Sequence, residues 1–324
     1  MHVLTLLVTI AAVGTASAFG VSSMAKKQVD NISRIDGLEA VLSPASATVE
    51  NFLLVGSDSR AGADPTDPDF KGIGSATDVT GSRSDTIMVL RRDKALGTAS
   101  LLSIPRDLWV DIAGKGKKSR INSAYQGGPA QLVATVQQAL GLPIHHYIEI
   151  DFQGFKAVVD AVGGVKICFL SASRDVHTGL YIPEPGCPVL GGVQALAYAR
   201  SRYFESYIDD KWVIDGSSDL GRIKRQQVFV NTAMQAALDR IKGNPLEAGN
   251  VLVSSTSALS IDRQLDVLGA ASVLRNAFGA GLQTFSIPVY GKTIGGNAVL
   301  LMSDTAPALL AYFKGEVSTP PVVN

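Results

Sequence analysis

Cysteine is nearly missing from this 324-residue chain, with Cys168 and Cys187 its only two. Two thiols are too few for a cysteine-based zinc site, and in an exported domain such a pair more often closes a disulfide. Net charge is missing altogether. Lys and Arg number 29 against 29 Asp and Glu, so no whole-chain field attracts a polyanion and nucleic acid is not an expected partner. No Gly-x-Ser-x-Gly elbow raises Ser57, Ser59 or Ser103 as a nucleophile. Nucleotide cradles are absent too: Gly72-Ile73-Gly74 lacks the third glycine, and GKGKKSR lacks phosphate-loop spacing. His145 and His146 precede a strand pattern and His177 sits in a loop, so these histidines read as structural or solvated groups rather than ligands.

Charge is also lacking at the start. Residues 1–25 contain no Lys, Arg, Asp or Glu, and a helix from Val3 to Val21 nearly spans a hydrocarbon core of roughly 30 Å. The segment is expected to be a transmembrane anchor, or a signal peptide with Ala16-Ser17-Ala18 as its cleavage site. Lys26, Lys27 and Arg34 follow the apolar run and none precedes it, which by itself favours a cytoplasmic C-terminal side. A start upstream of Met1, with basic residues, explains the same asymmetry.

What is present is enough apolar residue, 46% of the chain, to bury a large core. Residues 26–48 read as a polar stalk, 49–316 as the main domain, and 317–324 as a tail. NFLLVG (51–56) suits a buried central strand, and the Gly, Asp, Pro, Ser and Thr of 61–82 make a loop. TIMVLR (86–91) and TASLLSI (98–104) read as an antiparallel hairpin. Residues 130–141 have helical spacing with a glycine stop, HYIEIDF reads as a strand, and FKAVVDAVGGVKICFL as helix, Gly-Gly turn and strand. VQALAYARSR is a short helix. LGRIKRQQVFVNTAMQAALDRI is a longer one, with Asp219 at its N-cap.

Folding 86–91 onto 98–104 places Asp85 opposite Pro105 and Arg106. If 51–55 runs parallel to 98–104, Asp58 and Arg60 leave the sheet at the same end, with Arg83 and Asp107 beside them. Carboxylates among guanidiniums suit a divalent cation and a phosphate together: hard oxygens hold Mg²⁺, and planar Arg forks hold phosphoryl oxygens. A second cluster follows, in which Arg200 and Arg202 leave one helix, and Asp219, Arg222, Arg225 and Gln226 open the next. Each pair taken alone is an ordinary surface ion pair worth about 0–1 kcal/mol. Repetition at element ends is what points to a site.

These segments resemble the LytR-CpsA-Psr cell-wall ligases. The stretches that carry the resemblance are NFLLVGSDSR, GSRSDTIMVLRRD, SIPRDLWVDI, SRINSAYQGG, YIEIDFQGFKAVVDAVGGV and ALAYARSR followed by DLGRIKRQQ. The resemblance implies an α/β fold whose mixed sheet and flanking helices enclose an apolar polyprenyl-binding tunnel, behind one transmembrane helix and outside the cytoplasm. It also implies Mg²⁺-dependent (or Mn²⁺-dependent) transfer of a phospho-linked glycan from a polyprenyl-pyrophosphate carrier to peptidoglycan. Asp58 and Asp85 would bind the metal. Arg60, Arg83, Arg106, Arg200, Arg202, Arg222 and Gln226 would surround the pyrophosphate with Arg225 nearby, and Asp107 and Asp219 are candidate bases. The cysteine pair resembles the actinobacterial branch, where the polymer would be arabinogalactan. A carrier-binding regulator and a pyrophosphate hydrolase are the competing readings.

Overall fold

The computed structural model describes residues 30–57, 84–243, 259–267, 270 and 282–321. Residues 1–29, and with them the expected anchor, lie outside the described residues. No described helix is long and apolar enough to cross a membrane.

A seven-stranded mixed sheet organises the chain. It contains β1 (Ser33–Ile35), β2 (Val49–Ser57), β3 (Ser84–Asp93) and β4 (Thr98–Ile104). The hairpin β5 (Trp109–Ile112) and β6 (Lys117–Arg120) follows, then a 3-10 helix over Ile121–Gly127, α1 (Pro129–Leu140), β7 (His146–Ile150) and α2 (Phe152–Ala161). Short strands β8 (Val165–Lys166), β9 (Ser173–Asp175), β10 (Leu180–Ile182) and β11 (Val189–Leu190) lead to α3 (Gly192–Arg200). After the hairpin β12 (Glu205–Ile208) and β13 (Lys211–Ile214) comes α4 (Ser218–Gly243). The chain then supplies β14 (Leu259–Asp262), β15 (Gln283–Ser286), the hairpin β16 (Val289–Ile294) and β17 (Asn297–Met302), and α5 (Ala306–Lys314).

Strand order in the main sheet is β1-β14-β7-β2-β3-β4-β15. Strand β2 is buried along all nine residues, as a central strand covered on both faces must be. Its alternation sends Phe52 and Leu54 to a core shared with α2, α3 and α4, and Leu53 and Val55 to a core shared with α1 and α5. Within the segment read as a stalk, β1 pairs with β14 and Leu38 is fully buried. Asp151, read as the end of a strand, instead caps α2: its carboxylate accepts from the Gly154 amide at 2.8 Å. Val228, on α4, is exposed.

Registers fix which strand ends meet. Ile87 pairs with Ile104 in the β3–β4 hairpin, and continuing that register sets Asp85 opposite Arg106. Because β2 and β4 are both antiparallel to β3, they run in the same direction, and Ser57 at the end of β2 pairs with Ser84 at the start of β3. The ends of β2 and β4 and the start of β3 thus form one edge, and the opposite edge holds Glu50, Arg92 and His146.

Cys168 and Cys187 form a disulfide. Strands β8 and β11 pair Lys166 with Val189, and Phe169 and Gly186 exchange both backbone hydrogen bonds at 2.7 and 2.9 Å. The same register puts 168 across from 187 at a non-hydrogen-bonded position, where antiparallel side chains approach most closely. The closed loop contains β9 and β10.

At the far edge His146 lies 3.3 Å from Asp262 and 3.7 Å from Glu50. Burial pulls the imidazole down, but hydrogen bonds with Asp262 and Glu50 outweigh it and hold His146 at about 9. Burial likewise pushes the Glu50 carboxyl up, yet His146, Lys94 and Arg92 bring it to about 2. The His146 contribution to stability is therefore complete below its unfolded value of about 6.5 and lost as pH rises through about 9. The Glu50 contribution is complete above about 4.5 and lost as pH falls through about 2. Urea unfolding across pH should show stability declining from pH 6.5 to 9, and His146→Gln should flatten that limb; an unchanged slope in the variant overturns the assignment. Removing both cysteines should cost on the order of 3 kcal/mol, and intact mass after alkylation without reductant should show no free thiol.

Candidate functional site

The edge shared by β2, β3 and β4 opens into a cavity of about 210 Å³. Three separate segments deliver arginines to it. Arg106 follows Pro105, the proline at which β4 stops. Arg200 and Arg202 come from the end of α3, and Arg222 from the first turns of α4. Thr86 and Gln226 lie between them.

Each segment is fixed by polar contacts that reach across the fold. The Gln226 amide donates to Thr86 Oγ1 and to the Ala199 carbonyl, both at 3.2 Å, tying α4 to β3 and α3. Its neighbour Gln227 donates to Ser103 Oγ at 3.2 Å and to Ser286 Oγ and the Phe285 carbonyl at 3.0 Å, tying α4 to β4 and β15. Helix α3 begins against α2, where the Gly192 amide donates to Asp160 Oδ1 at 2.7 Å. A Cβ on Gly192 would lie 2.7 Å from the Lys156 carbonyl oxygen, so only glycine admits this approach. Arg200 stacks its guanidinium over the Phe152 ring at 4.6 Å. The Arg106 carbonyl accepts from the Asn122 amide at 3.2 Å, holding the turn after β4.

Among the described lining residues the only carboxylate is Asp175, at the end of β9. It is fully buried and heavily bonded. Its Oδ2 accepts from Ser201 Oγ at 2.7 Å and from the Arg202 and Tyr203 amides at 3.0 and 2.9 Å, while Oδ1 accepts from the His177 amide at 2.9 Å. Burial pushes this carboxyl up, but the Ser201 hydroxyl and the three amides outweigh burial and keep its pKa below the usual carboxylate range. Asp175 thereby locks the turn that carries Arg202. His177, Thr178 and Tyr203 complete the lining.

Of the residues singled out in the sequence, Arg106, Arg200, Arg202, Arg222 and Gln226 share this cavity. Arg225 is not among its described lining residues. Its guanidinium donates to Asp215 Oδ2 and to the Ser201 carbonyl, both at 2.9 Å, and lies over the Phe204 ring at 4.9 Å. It braces the turn from behind. Asp107 is likewise not a described lining residue, and its carboxylate lies 3.3 Å from Arg120 Nε and 3.9 Å from Arg106 Nε. Asp58, Arg60 and Arg83 lie outside the described residues. Asp85 is described as part of β3 and Asp219 as part of α4, but their side chains are not. Helix α4 begins at Ser218, so Asp219 stands inside its first turn rather than at its cap.

Sequence reasoning missed Asp175, and it read His177 as a structural or solvated loop histidine; its side chain is 61% exposed. The only local signal is the run Asp175-Val176-His177-Thr178-Gly179, which reads as an Asx turn and forms one. Among its described lining residues the cavity brings four guanidiniums together with one carboxylate whose two oxygens already accept from other groups, and planar guanidinium forks suit a polyanion such as a diphosphate.

The LytR_cpsA_psr family matches residues 11–310. A relative from Corynebacterium glutamicum, named probable cell wall biosynthesis protein LcpB, is 37% identical over 70% of this chain and 50% of its own length. Another, from Oceanobacillus iheyensis and named polyisoprenyl-teichoic acid–peptidoglycan teichoic acid transferase TagU, is 32% identical over 78% of this chain and 71% of its own. The chain thus spans half the length of the first relative. Among solved structures, the LytR-Csp2A-Psr enzyme from Actinomyces oris superposes with a TM-score of 0.66 at 24% identity, covering 87% of this chain and 96% of that one. TagT bound to LI-WTA superposes at 0.62 and 20% identity, covering 89% of this chain and all of that one. These structures share the fold described above, and with the family match they identify the chain as a member of the LytR_cpsA_psr family.

Proposed function

We propose that this chain transfers a phospho-linked glycan from a polyprenyl-pyrophosphate carrier to a hydroxyl of peptidoglycan, acting at a membrane on its extracytoplasmic side. The observation that carries the reading is the convergence of Arg106, Arg200, Arg202 and Arg222 on one small cavity at the sheet edge. Attack on the sugar-linked phosphorus puts charge on the equatorial oxygens and on the leaving polyprenyl phosphate, and fixed guanidiniums stabilise both without reorganising. No covalent enzyme intermediate is needed. The name of the TagU relative supports both the carrier class and the acceptor. The carrier's tail would run along the apolar side of the sheet that packs against α2, α3 and α4.

A divalent cation fits the same edge. Ser57 and Ser84, which immediately precede Asp58 and Asp85, pair across β2 and β3, and their buried hydroxyls have no hydrogen-bond partner among the described residues. Carboxylate and hydroxyl oxygens form a hard donor set suited to Mg²⁺. Asp58 and Asp85 would hold the ion, which when bound neutralises charge on the pyrophosphate oxygens.

Full-length protein given a prenyl-pyrophosphate-linked disaccharide and peptidoglycan strands should join the two in the presence of Mg²⁺. Release of the sugar phosphate to water alone would identify a hydrolase, and binding without turnover a carrier-binding regulator. Asp85→Ala should lower turnover at least 100-fold and abolish the Mg²⁺ heat in calorimetry while leaving the unfolding midpoint near wild type; retained turnover with unchanged Mg²⁺ affinity sinks the metal assignment. Arg202→Lys should weaken carrier binding for short and long prenyl chains alike, by about 1–3 kcal/mol, because a point charge does not reproduce the fork.

A further inference from the structure

We infer that His177 is the proton acceptor for the incoming hydroxyl, with Asp175 as the residue that positions its ring; the assignment rests on the transfer reaction proposed above. Four observations lead to it. The first is chemical: among the described lining residues the guanidiniums stay protonated, and hydroxyls and amides are not bases near neutral pH. The imidazole of His177 is the one side chain suited to take and return a proton there. Asp175 is not available for that task, since both of its oxygens are engaged by donors.

The second is position. Asp175, Arg222 and Gln226 are 0, 4 and 3% exposed and form the depth of the cavity, whereas the His177 side chain is 61% exposed and stands at its mouth. A cavity of about 210 Å³ has room for a diphosphate but not for a polysaccharide strand. An acceptor strand must therefore present its hydroxyl from outside, where His177 stands.

The third is orientation. His177 Nδ1 lies 3.5 Å from Asp175 Oδ1, and the ring packs on Tyr203 with centroids 4.4 Å apart. Asp175 lies on the Nδ1 side of the ring, so Nε2 is the nitrogen turned away from the carboxylate and toward an incoming hydroxyl. The fourth is economy of support: the same Asp175 oxygen that faces the ring also accepts from the His177 amide, so backbone and side chain are set by one buried group. Among the described lining residues the other charged and titratable groups are Asp175 from β9, Arg106 from the turn after β4, Arg200 at the end of α3, Arg202 and Tyr203 just beyond it, and Arg222 from α4.

In the step so described, Nε2 takes the hydroxyl proton as the acceptor oxygen forms its bond to the sugar-linked phosphorus. The bond from that phosphorus to the bridging oxygen breaks, and its electron pair leaves with the polyprenyl phosphate held by the arginines. The imidazolium then returns the proton to solvent. Charge and atoms balance with no further reactant.

The test uses full-length protein, a prenyl-pyrophosphate-linked disaccharide and peptidoglycan strands, with kcat followed across pH. His177→Gln should reduce kcat roughly 10²- to 10⁴-fold, flatten the acidic limb of the profile and leave affinity for prenyl phosphate within about twofold. Added imidazole should restore part of the rate to His177→Ala. Asp175→Asn should lower kcat more than it weakens prenyl phosphate binding, a split that mere loosening of the turn, which displaces Arg202, does not produce. If wild-type protein transfers glycan and His177→Gln keeps kcat within threefold and the same profile, the inference is overturned while the transferase reading stands. If wild-type protein does not transfer at all, that reading fails and the inference falls with it.

Discussion

Like charges repel, and four guanidiniums in one cavity of about 210 Å³ exist only because the protein holds each of them from a different direction. At an effective dielectric near 20, two unit charges 5 Å apart repel by about 3 kcal/mol. The scaffold offsets this with one buried carboxylate, a ring face under Arg200 and two consecutive glutamines that pin α4 to the sheet. Asp175 carries the largest share of the order. Its carboxylate fixes the Ser201–Tyr203 backbone and thereby the direction in which Arg202 leaves α3.

The two edges of the sheet divide the work. One edge gathers the arginines of the cavity. At the other, Glu50, His146, Asp262, Arg92 and Lys94 offset one another within a few ångströms. The far edge anchors β2, β7 and β14 through ion pairs, and the near edge lines the cavity. His145 belongs to the anchoring side: burial holds its imidazole below the usual range, and its Nδ1 accepts from the Asn51 amide at 2.9 Å.

Much of this was legible in the sequence because hairpin register is local. Once 86–91 folds onto 98–104, Asp85 faces Arg106 by geometry alone, and the structure has that register. The arginines stood out because they cluster at element ends. Asp175 was not legible, since its partners Ser201, Arg202 and Tyr203 follow it by 26 to 28 residues and no periodicity links them. Arg225 shares a helical face with Arg222 by spacing, yet turns to Asp215, which comes from the hairpin segment before the helix. Asp107 faces Arg120 because β6 returns alongside β5. Each of these side chains takes a partner that only the tertiary fold supplies.

The disulfide divides this site between two kinds of chain. Asp175 and His177 lie inside the loop that Cys168 and Cys187 close, whereas all four cavity arginines lie outside it. The cross-link therefore lowers the entropy of the unfolded stretch that carries the carboxylate and leaves the stretches that carry the arginines unrestrained.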